Sequence, residues 1–134
     1  MTVETLRRKK VKATPQRIAV VELLKAERIH PSAEEIYRLL KPACPSLSLA
    51  TVYNTLEVLV EAGEIRRLTI DAKRTNYEYA RPPHDHFWCR LCGRIFDVPG
   101  RMKRPDFLTG HKVEQSSRYY KGICRDCVKQ NKNK

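Results

Sequence analysis

The stretch His84-Asp85-His86-Phe87-Trp88-Cys89-Arg90-Leu91-Cys92 contains the most informative pattern in the sequence. It begins with two histidines one residue apart and ends with a Cys-x-x-Cys pair, and a second such pair follows near the C-terminus. Two pairs with this spacing are typical of a tetrahedral zinc site in which every ligand is a thiolate. Because four thiolates leave no open position for catalysis, we predict a structural Zn²⁺ site formed by Cys89, Cys92, Cys124 and Cys127.

The two histidines need another purpose, since the thiolates already fill the zinc coordination sphere. On an extended segment, His84 and His86 point to the same side and can chelate one ion. Imidazole combined with carboxylate suits Fe²⁺, Mn²⁺, Zn²⁺ or Ni²⁺. Candidate co-ligands are His30, Glu78 and Asp97, but their spacing does not show that they converge. The pattern therefore leaves two alternatives open, a second metal site or exposed histidines at a linker, and we expect His111 to be a surface residue.

Composition points to a nucleic-acid partner. The chain has 134 residues and a formal net charge of +12, which favours a polyanionic ligand. No apolar run approaches the length of a membrane span, and the first residues lack the apolar core of a signal peptide, so we expect a cytoplasmic protein. In that compartment five cysteines favour metal ligation over disulfides, and Cys44 is expected to be a small, half-buried residue. A basic run without any acid contains Arg7, Arg8, Lys9, Lys10, Lys12 and Arg17.

Three helix signals followed by a hairpin signal predict a winged helix-turn-helix domain. Thr14 and Pro15 start a helix to about Glu27, Ser32 and Glu35 form a capping box, and Ser48 caps a helix that ends before Gly63. Alternating residues at 64–70 and 74–79, separated by a turn, predict the two strands of the wing. The helix pattern alone is common, and the appended hairpin with the basic arm makes it indicative of DNA binding.

The extended break at residues 80–83, rich in proline, predicts a domain boundary. We predict a DNA-binding domain at residues 1–80, a hinge at 81–83, and a dimerisation and metal-binding domain at 84–134. Strands are predicted at 87–89, 94–98 and 113–120, no helix between 99 and 110, and a frayed tail at 129–134. The predicted fold class is α+β, with an N-terminal winged helix-turn-helix domain and a small zinc-stapled C-terminal α/β domain.

Taken together, these motifs resemble those of the ferric uptake regulator family of bacterial metal-dependent repressors. The resemblance covers about residues 5–128, and its anchors are Thr14-Pro15-Gln16-Arg17, residues 30–37, residues 50–56, His84-Asp85-His86 and both cysteine pairs. It implies a winged-helix domain, a small α/β dimerisation domain and a homodimer. It also implies that a regulatory Fe²⁺ or Mn²⁺ site between the domains falls on His30, Glu78, His84, His86 and Asp97, with the structural Zn²⁺ on the four cysteines.

The same resemblance implies how DNA is bound. The helix from Ser48 to Glu61 corresponds to the recognition helix, with Tyr53 contacting a thymine, and either Lys9 or Lys10 reaches the minor groove of a palindromic operator in double-stranded DNA. The residues expected to bind DNA are Lys9, Lys10, Lys12, Arg17, Ser48, Thr51, Tyr53 and Asn54.

At two positions, Asn54 and Asp97, the residue type resembles that of the peroxide-stress branch of the family. At a third position, Glu78 resembles the residue of the iron-supply branch. A peroxide sensor would oxidise one of its own ligands, His30 or His84, and release DNA. The alternatives are a repressor that senses iron, zinc or nickel supply, and a zinc hydrolase that uses His84 and His86 with Glu78 as base.

The chain departs from the family in a shortened span between the cysteine pairs, and it lacks the histidines, at positions 83 and near 116, of a third metal site.

Overall fold

The computed structural model describes residues 1–26, 29–71, 73–81, 84–99, 105–114, 116 and 118–130. It divides into an N-terminal unit, residues 1–80, and a C-terminal unit, residues 81–134. Among the described residues, no helix combines the length and the apolar character that crossing a membrane requires. Pro82 and Pro83 of the predicted hinge lie outside the described residues.

The N-terminal unit contains four helices and a two-stranded sheet among its described residues. The elements are α1 (Thr2–Arg8), α2 (Pro15–Ala26), α3 (Ala33–Leu40), α4 (Leu49–Glu61), β1 (Ile65–Leu68) and β2 (Asn76–Tyr79). The strands pair antiparallel, with Arg66 opposite Glu78. Helices α2, α3 and α4 followed by this hairpin have the order predicted for a winged helix. Helix α1 was not predicted, and it places Arg7 and Arg8 of the basic run in a helical turn.

Local capping signals set the ends of these helices. Thr14 Oγ1 accepts a hydrogen bond from the Arg17 amide at 3.3 Å, which confirms the predicted start of α2. Ser32 and Glu35 form the complete capping box of α3, and Ser48 Oγ accepts from the Thr51 amide at 3.1 Å. Gly63, at φ 76°, ends α4 as predicted, because glycine adopts the left-handed conformation without steric cost. Glu27, the predicted end of α2, lies outside the described residues.

A single apolar core holds the N-terminal unit together. Each of the first four helices contributes to it, and Leu6 gives α1 its anchor. The buried residues are Leu6, Val20, Val21, Leu24, Ala33, Ile36, Leu47, Val52, Leu56, Leu59, Ile65 and Tyr77. Cys44 is half-buried and packs against this core, as expected for a small apolar residue.

The C-terminal unit is built on a three-stranded sheet. The strands β3 (Asp85–Cys89), β4 (Ile95–Val98) and β5 (Tyr119–Gly122) have the order β4-β3-β5, and β3 is antiparallel to β4 and parallel to β5. Helix α5 (Arg125–Gln130) follows.

Several boundaries in this unit differ from the prediction. The strand predicted at 113–120 is observed at Tyr119–Gly122, and α5 includes two residues that were expected to fray. A short 3₁₀ turn (Asp106–Leu108) occurs where no helix was predicted, and residues 100–104 lie outside the described residues. These elements are only three to six residues long, too short to show a periodicity in sequence.

Candidate metal centres and nucleic-acid interface

The four predicted zinc ligands meet in the C-terminal unit. Cys89 ends β3, Cys92 follows in the tight turn before Gly93, Cys124 follows β5, and Cys127 lies in α5. Their sulfur atoms all lie within 4.8 Å of one another. The parallel pairing of β3 with β5 brings the two cysteine pairs together, because it sets Cys89 opposite Gly122, two residues before Cys124.

The spacing and the surroundings of the sulfurs fit a tetrahedral zinc ion. Bonds of about 2.3 Å in a tetrahedron separate the sulfurs by about 3.8 Å. The distance between Cys92 Sγ and Cys124 Sγ is 3.8 Å. Backbone amides of Cys92 and Cys124 donate to Cys89 Sγ at 3.5 and 3.2 Å. Amide donors of this kind stabilise a thiolate, the form of cysteine that binds metal.

The pKa values of two thiols in the cluster are shifted in opposite directions. Burial opposes ionisation of Cys89, but the amide donors outweigh it and lower the pKa of this thiol to about 6. The pKa of Cys127 is raised to about 12, first by its contact with the Cys124 sulfur and then by burial. Cys127 therefore stays protonated at neutral pH on its own, whereas a bound dication would favour its thiolate form.

A second group of predicted ligands lies on the same sheet. His84 precedes β3, His86 lies within it, and Asp97 lies opposite His86 on β4. Asp97 Oδ1 is 3.1 Å from His84 Nε2 and 3.6 Å from His86 Nε2. Bonds of about 2.1 Å to one ion place neighbouring ligand atoms about 3.0–3.4 Å apart. Asp97 therefore lies close enough to each of the two histidines for the carboxylate and either imidazole to share an ion.

The remaining two predicted ligands meet within the N-terminal unit. His30 Nε2 lies 3.5 Å from Glu78 Oε1, and the two side chains are only 5% and 2% exposed. The loop of His30 is fastened to β2, because the Asn76 side chain donates to the His30 carbonyl at 2.7 Å and the Tyr77 amide donates to the Pro31 carbonyl at 2.9 Å. The structure thus groups the five predicted ligands as one histidine–carboxylate pair in the N-terminal unit and one triad in the C-terminal unit.

Two arginines that the sequence patterns did not predict contact these ligands. Arg94 Nε lies 3.4 Å from Cys92 Sγ, and Arg66 Nη1 lies 3.6 Å from Glu78 Oε2. Arg94 follows the first cysteine pair by two residues, a proximity that is visible in the sequence. The cross-strand register that sets Arg66 opposite Glu78 is not.

Helix α4 presents part of the predicted DNA-binding set. Tyr53 is 43% exposed and Asn54 is exposed beside it, whereas Ser48 and Thr51 bond to each other in the helix cap. The Tyr53 hydroxyl donates to Glu34 Oε1, a partner that the sequence did not reveal. This hydrogen bond is the main cause that lowers the pKa of Glu34 and raises the pKa of Tyr53.

The lysines of the basic run differ in their contacts. Lys9 Nζ forms an ion pair with Glu64 Oε2 at 2.7 Å, and the Glu64 side chain is 2% exposed. A buried carboxylate is costly without such a partner, so Lys9 serves the fold. Lys10 and Lys12 are exposed, and the Lys12 carbonyl accepts a hydrogen bond from Arg17 Nη1 at 3.0 Å. His111 is exposed, as expected, and stacks on Phe107 with a centroid distance of 5.5 Å.

Comparisons with known proteins identify the family to which the chain is similar. The model of the ferric uptake regulator family matches residues 8–106. The peroxide operon regulator of Bacillus subtilis (strain 168) is 36% identical over 131 residues, covering 94% of this chain and 90% of that protein.

Solved structures extend the likeness to the fold. The ferric uptake regulator of Vibrio cholerae matches with a TM-score of 0.74 and 25% identity, covering 92% of this chain and 100% of that chain. The peroxide sensor PerR from Streptococcus pyogenes matches with a TM-score of 0.55 and 36% identity, covering 94% and 90%. These matches confirm the predicted α+β fold with its winged helix, and the chain belongs to the ferric uptake regulator family of transcription regulators.

Proposed function

We propose that the chain is a metal-dependent DNA-binding repressor that senses peroxide through Fe²⁺, with Mn²⁺ as an alternative occupant of the same site. The observation that carries the proposal is the chemistry of the ligand sets: imidazole and carboxylate at one site, thiolate alone at the other. Nitrogen and oxygen donors suit Fe²⁺ and Mn²⁺, whereas four thiolates suit a structural Zn²⁺. The peroxide-regulator names of the similar proteins support the sensing role. Membership of a regulator family argues against the hydrolase interpretation.

The regulatory ion would take ligands from both units: His30 and Glu78 from the first, and His84, His86 and Asp97 from the second. Three neutral imidazoles and two carboxylates balance the charge of a divalent cation. An ion held in this way restricts the motion of one unit against the other, and binding to only one arrangement supplies the differential affinity that a switch requires. Cys89, Cys92, Cys124 and Cys127 would hold the Zn²⁺ that keeps the β3–β5 end of the sheet rigid.

Peroxide sensing would follow from the same ligands. An Fe²⁺ held by these side chains would supply the chemistry that splits the O–O bond of hydrogen peroxide. One peroxide oxygen would then add to the imidazole of His30 or His84, the ring would be the two-electron reductant overall, and the other oxygen would leave as water. An oxidised imidazole is a poorer ligand, so the remaining side chains hold the ion less tightly. His30 is the more consequential position, because its buried side chain faces Glu78 and its loop is fastened to the wing strand.

The repressor would act as a homodimer on double-stranded DNA with a palindromic operator, in the cytoplasm. Tyr53 and Asn54 have the exposure that base contacts require, and Ser48 and Thr51 at the helix start would contact phosphates. We propose Lys10 rather than Lys9 as the minor-groove residue, because Lys9 is engaged by Glu64. Lys12 and Arg17 would contact the backbone.

The decisive experiment loads the zinc-containing protein with Fe²⁺ or with Mn²⁺, measures DNA binding, and then adds mild peroxide. We expect only the Fe²⁺ form to lose its DNA, with His30 or His84 gaining 16 Da, about the mass of one oxygen atom, in peptide mass spectrometry. If Fe²⁺-loaded protein keeps its DNA and no histidine gains oxygen, the protein senses metal supply instead. Glu78 favours that second candidate, because the resemblance associates it with the iron-supply branch.

A His86→Ala variant tests the division into two metal sites. We expect it to lose metal-dependent DNA binding while it retains one tightly bound zinc per chain. His111→Ala is the matched control, because His111 is exposed and far in sequence from both ligand sets. Loss of the zinc in His86→Ala would show that the two sites are divided wrongly.

A further inference from the structure

We infer that Arg94 is a positioning residue for the four-cysteine site, a guanidinium strap that joins its two cysteine pairs and strengthens zinc retention. The inference rests on the proposed zinc site and adds to it a residue from outside the Cys-x-x-Cys motifs. Arg94 Nε donates to Cys92 Sγ at 3.4 Å, and Arg94 Nη2 donates to Cys124 Sγ at 3.6 Å. One planar side chain therefore reaches one sulfur of each pair.

The guanidinium is held in this orientation by two further contacts. Its Nη2 atom also donates to Asp126 Oδ2 at 3.1 Å, and its central carbon lies 5.0 Å from the centroid of the Phe96 ring. Asp126 is one of the two residues between Cys124 and Cys127, so the anchor belongs to the second pair itself. Because the side chains of Arg94 and Asp126 are 51% and 62% exposed, their ion pair contributes little energy by itself. The ion pair instead orients the guanidinium group of Arg94 toward the two sulfurs.

Charge explains why a cation at this place would matter. Four thiolates around Zn²⁺ leave a net charge of −2, and amides alone compensate for it only in part. Hydrogen bonds from an ionised donor to an ionised acceptor are stronger than those between neutral groups. Arginine also supplies several donors in a fixed plane, which a lysine ammonium does not. Arg94 can therefore stabilise two thiolates and fix the distance between the two cysteine pairs at the same time.

The test measures zinc loss from the full chain, reconstituted with one Zn²⁺ per chain and with the regulatory site empty. A chromogenic chelator reports both the rate of zinc transfer and the competition constant. We expect Arg94→Gln to weaken zinc binding about tenfold, the lower end of the effect typical of outer-shell partners, since Arg94 is half-exposed. Arg94→Lys should fall between wild type and Arg94→Gln, because it keeps the charge but cannot reach both sulfurs.

Arg90→Gln is the matched control. Arg90 lies between the cysteines of the first pair, is exposed, and carries the same charge. Retention of zinc by Arg94→Gln within twofold of Arg90→Gln would overturn the inference, while tight one-to-one binding by the wild type would leave the zinc assignment intact. A wild-type chain that binds no zinc would overturn both. Hydrogen exchange of β3, β4 and β5 in the zinc-loaded variants excludes misfolding of the C-terminal unit as the cause of zinc loss.

Discussion

The two units differ in the residues that form their buried centres. Among the described residues, the N-terminal unit buries twelve core residues from four helices, the hairpin and the loop before α4. The buried cluster of the C-terminal unit consists of Cys89, Cys124 and Cys127, with only Phe87, Phe96 and Ile123 packed against it. Apolar burial stabilises a fold in proportion to the area removed from water, so the first unit has the larger intrinsic stability.

This difference separates a metal that stabilises the fold from a metal that acts as a signal. A unit whose buried centre is a set of thiols depends on the ion for folding, since metal-binding energy is then folding energy. The imidazole and carboxylate groups are attached to elements that the apolar core and the sheet already position. Removing zinc should therefore damage structure, and removing the regulatory ion should change DNA binding.

The largest effect is expected from Cys124→Ser. Structural zinc contributes an apparent binding free energy of about 10–16 kcal/mol in small zinc-dependent folds, and losing one of the four thiolates removes part of it. We expect hydrogen exchange of β3, β4 and β5 to lose protection while α2–α4 keep theirs. Cys44→Ser is the matched control, because Cys44 packs on the apolar core outside the zinc site. Retention of zinc and of sheet protection in Cys124→Ser would show that this unit does not depend on the ion.

A core truncation should produce the reverse pattern. Leu56 is fully buried in α4, and Leu56→Ala should lower the free energy of unfolding of the N-terminal unit by about 2–5 kcal/mol without lowering the zinc content. Leu39→Ala is the control, since Leu39 is 54% exposed and its truncation leaves no cavity. Thermal unfolding followed through the helical signal makes the comparison. Equal costs for the two variants would contradict the idea that one apolar core carries this unit.

Sequence patterns predicted the elements that have local signals. The Ser32–Glu35 capping box, the Ser48 cap and Gly63 each act within four residues, so the sequence displays them directly. Helix α1 has no such signal: its cap residue Met1 makes no side-chain hydrogen bond. It is held by burial of Leu6 and by a hydrogen bond from Thr2 to Glu22, twenty residues away. The parallel pairing of β5 with β3 is equally non-local.

The candidate sites divide along the same line. Cysteine spacing predicts a metal site because two ligands lie within one turn of chain, and the structure brings all four sulfurs together. The contact between His30 and Glu78 depends on Asn76 fastening the His30 loop to β2, which no spacing rule reveals. Lys9 and Lys10 are equivalent in the sequence, and only the ion pair of Lys9 with the buried Glu64 distinguishes them. The long-range partners of charged residues therefore could not be predicted from the sequence.

A smaller effect should follow from removing the cap beside the His30 loop. Ser32→Ala loses the hydrogen bond to the Glu35 amide, and we expect it to cost about 1 kcal/mol of unfolding free energy in the N-terminal unit. Ser46→Ala, at an exposed turn position, should cost less than about 0.5 kcal/mol. Chemical denaturation of the zinc-loaded protein gives both values. A neutral Ser32→Ala would mean that the bridge between Ser32 and Asn76 holds the loop without the cap.

The smallest effect is expected at Arg66, the arginine beside the proposed imidazole and carboxylate site, and its sign should be opposite to that of Arg94. The thiolate site keeps surplus negative charge after zinc binds, so Arg94 should help to retain the ion. The imidazole and carboxylate site has no surplus, so Arg66, whose Nη1 lies 3.6 Å from Glu78 Oε2, competes with the ion for that carboxylate. Arg66 is 37% exposed, and a pair screened to this extent contributes about 0.2–1 kcal/mol.

Arg66→Gln should therefore tighten Mn²⁺ binding by a factor of about 1.4 to 5, as measured by calorimetry on the zinc-loaded protein. Arg67→Gln removes the same charge from the next residue, whose strand partner is Tyr77 rather than Glu78. Any long-range effect of net charge should appear in both variants, and the difference between them isolates the contact with Glu78. Weaker Mn²⁺ binding in Arg66→Gln than in Arg67→Gln would show instead that Arg66 orients Glu78 for the ion, as Arg94 is proposed to do for the sulfurs.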